Sequence, residues 1–295
     1  MNKTVRSLFT IFTPAALLLS FAFNESRAAT ALSSKQARET IRHVGGSELS
    51  KGAVKVRSVQ PASDGGVDVL AQVKLAFRLT RDDHDRWHIE EVRTGDRRWE
   101  DVGMIASALG IASTVDEGRA RPDVSGELSP EHARALIADL LGVQLPSEAV
   151  RVNAVTALGK SAMVETQIEL EFHLVNESGA WRVQKMRTAG NIWRDVDGVV
   201  NSINQQKIAR ARVEMQQIVR ALDAFRRERG FYVEARDEGV LVDYLSPRYL
   251  KQVIRFDPWS RLYQYEGTRE HFTLRSMGAD GKPETADDIV MSSGS

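Results

Sequence analysis

The chain repeats itself. Leu32–Ile41 (LSSKQARETI) answers Leu128–Ile137 (LSPEHARALI), and Ala53–Val59 (AVKVRSV) answers Ala149–Val155 (AVRVNAV), both at an offset of 96 residues. Val73–Leu79 then answers Ile168–Leu174 at 95, and Trp87–Val102 (WHIEEVRTGDRRWEDV) answers Trp181–Val196 (WRVQKMRTAGNIWRDV) at 94. Each change of offset falls in a stretch of turn composition, PASDGG against TALGK and TRDDHDR against VNESGA. Loops accept length changes cheaply, so this is the signature of a duplicated fold.

Each copy has the same local pattern. Ser129 and Pro130 suit an N-cap and first helical turn, and Ala133, Leu136, Ile137 and Leu140 follow at helical spacing. Three alternating segments come next, for example Val150/Val152, Ile168/Leu170/Phe172/Leu174 and Trp181/Val183. Period-two alternation describes half-buried strands joined as an antiparallel meander. After W-x-D-V another helical stretch begins. The expected fold is α+β, with two tandem α-β-β-β-α units (32–117 and 127–204), each a helix laid across a small curved sheet.

The repeat also serves as a control on chemistry. Asp82-Asp83-His84-Asp85 has the composition of a metal cluster, but the second copy carries Asn176-Glu177-Ser178-Gly179 there, so a polar hairpin turn explains both. Trp87/Trp181, Trp99/Trp193 and Asp101/Asp195 recur. The tryptophans read as core and the aspartates as helix N-caps.

The N-terminus reads as a targeting segment. Lys3 and Arg6 precede the apolar run Leu8–Phe23, and Ser26 and Ala28 supply the small residues of a cleavage site. The run is shorter than the ~20 residues a membrane span needs. Residues 1–28 are therefore expected to be a signal peptide cleaved near Ala28, with a retained anchor as the alternative, and the mature chain to be periplasmic or secreted. Forty basic and forty acidic residues cancel, so no global field favours nucleic acid or an anionic membrane. With no cysteine, disulfides, thiolate zinc sites, a thiol nucleophile and a lipid-modified N-terminal cysteine are excluded.

The second copy does not stop where the first does. After Val102 the helical pattern breaks at Gly110, whereas after Val196 it runs on to Arg229 and Gly230. Ile208, Ala211, Met215, Ile218, Leu222 and Phe225 form one apolar seam on an otherwise charged helix. Leu262–Glu266 and His271–Ser276 then alternate around a polar turn and read as a hairpin. Close to the end, GADGKPETADDI (Gly278–Ile289) packs four carboxylates into twelve positions with two glycines and a proline. Such a loop is either a solvated turn or a fold around a hard divalent cation such as calcium.

The amphipathic helix ending in Arg-Gly-Phe-Tyr, then Asp257-Pro258-Trp259 with Tyr263 and Tyr265, then Phe272 before Gly278-Ala279-Asp280-Gly281, then Asp287-Asp288-Ile289, resembles the C-terminal domain of the major pseudopilin (protein G) of type II secretion systems. The resemblance covers about residues 208–290. It implies a long helix packed on a small antiparallel sheet, a pseudopilin-like head placed at 205–295. It also implies a calcium-binding loop with Asp280, Asp287 and Asp288 at or near ligand positions and the main-chain carbonyl of Met277 assisting. The chain departs from that family upstream. Where a pseudopilin has a Phe-Thr-Leu-x-Glu opening and about twenty apolar residues, this chain has the polar run Gly190–Lys207, and Val233 stands where proline is usual. Polymerisation by the family's mechanism is not expected.

No catalytic constellation emerges. The six histidines have no metalloprotease spacing, and there is no G-x-S-x-G elbow or phosphate-cradling glycine loop. The expectation is a non-enzymatic exported protein whose calcium-ordered head contacts other proteins, with secretion or pilus-like machinery as the partner implied by the resemblance. The alternative is a small-ligand or peptide-binding protein that uses the duplicated units.

Overall fold

The computed structural model describes residues 32–96, 98–110, 124–143, 148–188, 192–236 and 238–294. The expected signal peptide (1–28) and the end of the first unit (111–117) lie outside the described residues.

Each copy opens on a capped helix. In α1 (Ser34–Arg42) the Ser33 side chain accepts from the Gln36 amide and the Gln36 side chain answers, completing a capping box. In α3 (Pro130–Leu140) Ser129 accepts from the His132 amide, and Pro130 sits at the start. The strands follow as β1 (Val54–Pro61), β2 (Val67–Arg81), β3 (Trp87–Arg93) and the short β4 (Trp99–Asp101). The second copy gives β5 (Val150–Leu158), β6 (Ser161–Glu177), β7 (Ala180–Thr188) and β8 (Arg194–Asp195). Each W-x-D-V thus adds a short fourth strand before its helix. Those helices are α2 (Val102–Ala108) and α4 (Val196–Arg229), N-capped by Asp101 and Asp195 as their recurrence predicts.

One expectation fails. The copies do not form two small sheets: all eight strands join one antiparallel sheet, in the order β4-β3-β2-β6-β7-β8 with β1 on β2 and β5 on β6. The seam is β2 against β6, paired from Val67↔Leu174 to Thr80↔Ser161. Val73 lies opposite Ile168, its own counterpart at offset 95, so an approximate twofold axis passes through that pair. Bulges break the register at matching places, between Val56 and Ser58 in β1 and between Val152 and Ala154 in β5. One buried core, running from Leu32 to Val196, draws on both copies. The physical reason is edge protection. Strands as long as β2 and β6 would each leave a row of unpaired amides and carbonyls, and pairing them removes both edges.

The recurring tryptophans are less buried than expected. Trp87 is core, with Nε1 donating to the Gly126 carbonyl at 2.9 Å. Trp181 is half-buried. Trp99 and Trp193 are also half-buried, and each lies under a guanidinium: Arg78 is 4.3 Å from the Trp99 ring centre and Arg187 is 4.4 Å from that of Trp193. The Asp82–Asp85 stretch is a turn, in which the Asp82 carboxylate accepts from the amides of His84 and Arg86.

Helix α4 runs unbroken for 34 residues, about 50 Å at 1.5 Å per residue, and ends at Gly230 in the left-handed region. Its first turns, Val196 and Val200 among them, pack on the sheet core. Its later seam, Ala211, Met215, Ile218, Leu222 and Phe225, builds a second core. That core is closed by α5 (Glu238–Leu245) and a three-stranded antiparallel sheet of β9 (Gln264–Gly267), β10 (Phe272–Ser276) and β11 (Ile289–Ser292), ordered β11-β10-β9. The hairpin β9–β10 follows the expected alternation, with Leu274 opposite Tyr265. β11 adds a strand that the alternation argument did not reach. Among the described residues, no helix is long and apolar enough to cross a membrane.

Candidate functional site

The acidic loop joins β10 to β11 and closes on itself through short-range hydrogen bonds. Asp287 Oδ2 accepts from the Asp280 amide at 3.0 Å, and its Oδ1 accepts from the Thr285 hydroxyl at 2.7 Å. Asp280 Oδ1 accepts from the Lys282 amide at 2.8 Å and lies 3.3 Å from the same hydroxyl. Asp280 and Asp287 are thus brought together, one on each side of Thr285. The Asp280 amide and then the Thr285 hydroxyl hold the Asp287 carboxyl below the ordinary carboxylate range. Gly278 makes the closure possible. It has φ 60°, and a Cβ there would stand 2.3 Å from the Asp287 carbonyl oxygen.

Asp288 is placed differently. Its Oδ2 accepts from the Glu284 amide at 2.8 Å and pairs with Arg275 at 3.4 Å. Its Oδ1 is buried and has no hydrogen-bond partner. The Met277 carbonyl accepts from the Gly281 amide at 3.2 Å. Among the described residues, no group of three or more histidine, aspartate or glutamate side chains is gathered to hold a metal ion. Calcium accepts hydroxyl and main-chain oxygens as well, and carboxylates are its strongest protein ligands. Two converging carboxylates and an orphaned carboxylate oxygen suit that chemistry.

Two residues that matter here were not singled out as site residues from the sequence. Arg261 reaches under the loop, its Nη1 donating to the Gly278 carbonyl at 2.5 Å and its Nη2 to the Ala279 carbonyl at 3.2 Å. Asp257 is buried and sets that arginine: its carboxylate accepts from the amides of Trp259 and Arg261, both at 3.0 Å, and from the Ser276 hydroxyl at 2.6 Å. The sequence signal for Asp257 was its place in the DPW motif. Arg261 carried none, because a single arginine in a turn reads as solvated.

The other motif residues are core residues whose polar tips are satisfied. Tyr263 donates to Glu214 at 2.7 Å, Tyr265 to the Val233 carbonyl at 2.7 Å, and Trp259 Nε1 to Asn204 at 3.1 Å. Burial, then the Glu214 carboxylate, pushes the Tyr263 hydroxyl far above its usual range, so it stays a donor. A helix seam, an aromatic core with fixed phenols and a glycine-bent acidic loop therefore occupy one folded unit.

Residues 198–292 match the family Type II secretion system (T2SS), protein G. The matched stretch starts in the first turn of α4 and ends with β11, so it takes in the whole second core and its loop. It encloses residues 208–290, where the sequence motifs carry the resemblance. The protein G match covers roughly a third of the chain and leaves the eight-stranded sheet outside it. No curated protein and no solved structure matches the chain.

Proposed function

We propose that the chain is an exported, non-enzymatic component of a secretion or pilus-like apparatus, in which a calcium-stabilised pseudopilin-like head serves as the protein-contacting part. The observation that carries this reading is the protein G match over 198–292, which coincides with a complete core and its loop. Calcium is held by Asp280 and Asp287, with Asp288 and main-chain oxygens such as that of Met277 contributing. The orphaned Asp288 Oδ1 supports this, because a buried carboxylate oxygen without a donor is costly unless a cation meets it. When bound, the ion offsets the mutual repulsion of the loop carboxylates and ties β10 to β11.

The test is calorimetric titration of calcium into chelator-stripped protein, with melting curves in calcium and in EDTA. One saturable site and a higher melting temperature, both absent in Asp287→Ala, are the expected result. The loop is a self-sufficient turn if millimolar calcium changes neither heat nor melting. The interaction role is tested separately, by capture of secretion-system proteins with the protein in calcium and in EDTA. Capture that ignores calcium and survives Asp287→Ala removes the head from the interface.

A further inference from the structure

A cavity lies over the eight-stranded sheet, lined mostly by residues outside the protein G match and by none from the acidic loop. It has a volume of about 540 Å³ and sits over the approximate twofold axis of the sheet. Counterpart residues from the two copies line it: Val73 with Ile168, Leu75 with Leu170, and Phe77 with Phe172. Helices α2 and α4 wall it through Ile105 and Ala106 on one and Val199 and Ile203 on the other. The volume falls within the range of small-molecule sites. A void of this size forfeits packing contacts on every wall, and an apolar lining offers water too few partners to fill it well.

Its two charged regions differ. At one, Lys207 and Glu100 form a buried ion pair at 2.5 Å, and Arg98 Nε donates to the same carboxylate at 2.6 Å. Arg98 also donates to the Gly46 carbonyl at 2.9 Å, so this network is internally engaged. Arg187, a further lining cation, is held by Glu171. The other region is formed by Ile192 and Arg194, both exposed, with the Arg194 guanidinium beside Gly110 at the end of α2. Among the described residues no carboxylate pairs with Arg194. Arg194 is the counterpart of Glu100, so the two copies place opposite charges at equivalent points of one apolar cavity.

We infer that this cavity binds a linear amphiphile with an anionic head, of the fatty-acid class, with the hydrocarbon tail over the β2–β6 seam and the carboxylate at Arg194. Both copies and the first turns of α4 are needed to build the site. The inference is independent of calcium and of the head's role.

The test is titration of dodecanoate and of the uncharged dodecanol into the purified protein, in calcium and in EDTA. One dodecanoate per chain is expected, binding roughly tenfold more tightly than dodecanol, as a charge-assisted hydrogen bond to the head implies. Arg194→Glu should weaken dodecanoate and leave dodecanol unchanged. Ile105→Trp, which fills the cavity from a half-buried helix position, should abolish binding of both while circular dichroism stays that of the parent protein. Absence of saturable binding by either compound overturns the inference, as does equal affinity for the two or binding untouched by Ile105→Trp in a folded variant. Because Arg194 is exposed, its variant remains informative even if the tryptophan variant fails to fold.

Discussion

Asp287 closes the loop onto its start, since its carboxylate accepts from both the Asp280 amide and the Thr285 hydroxyl. Those bonds depress its folded-state pKa, so its contribution to stability is present above the unfolded carboxylate pKa and is lost as pH falls through the folded one. Urea midpoints measured from neutral pH downward should fall below about pH 4 in the parent protein, and Asp287→Asn should flatten part of that decline. An unchanged acid limb would place the titrating group elsewhere. Gly278→Ala should cost more than about 2 kcal/mol by urea denaturation, because it combines a left-handed φ with a Cβ against the Asp287 carbonyl oxygen. A neutral result would mean the loop shifts freely. The identity of the acidic residues was legible in the sequence, as was the need for glycine. Which carboxylates meet was not, because Thr285 and Arg275 decide it through contacts that spacing does not encode.

The helices and strands were mostly legible because their signals are local. Ser33, Ser129, Asp101 and Asp195 each cap the helix expected of them. Asp195→Ala should cost about 1 kcal/mol, the ordinary value of a lost N-cap, in thermal or urea unfolding. The same change in Asp101 should cost a similar amount. A much larger loss at Asp195 alone would show that α4 transmits the defect to the head. Strand β11 escaped the sequence argument because Ile289–Ser292 is only four residues long and its pairing with β10 is set across the acidic loop. The short β4 and β8 escaped for a related reason, since two or three residues carry no periodicity.

At the scale of the molecule, α4 is the joint. It belongs to the sheet core at its start and to the head core along its seam, and no linker separates them. Between the two stretches, the buried Lys207 pairs with Glu100 of β4, Asn204 takes the Trp259 indole N–H, and Gln206 donates to the Met104 carbonyl. Burial lowers the Lys207 pKa, and the Glu100 carboxylate opposes that shift. Lys207→Met should destabilise by about 3 kcal/mol, since it leaves Glu100 buried with only Arg98. The double change Lys207→Met with Glu100→Leu should recover much of that loss in a double-mutant cycle. Additive losses would mean the pair does not couple the two parts.

The sequence by itself determined the repeated elements, their caps, the apolar seam of α4 and the acidic, glycine-bent composition of the loop. All of these are written within a few turns or strands of chain, where periodicity and turn residues act directly. Only the tertiary structure decided that the two copies share one sheet, that their joint face leaves an apolar cavity, and that Lys207 meets Glu100. Strand edges seek partners without regard to sequence distance, and β2 found β6 about 95 residues away. A cavity or a buried pair is defined by what lies opposite it, and no local pattern records that.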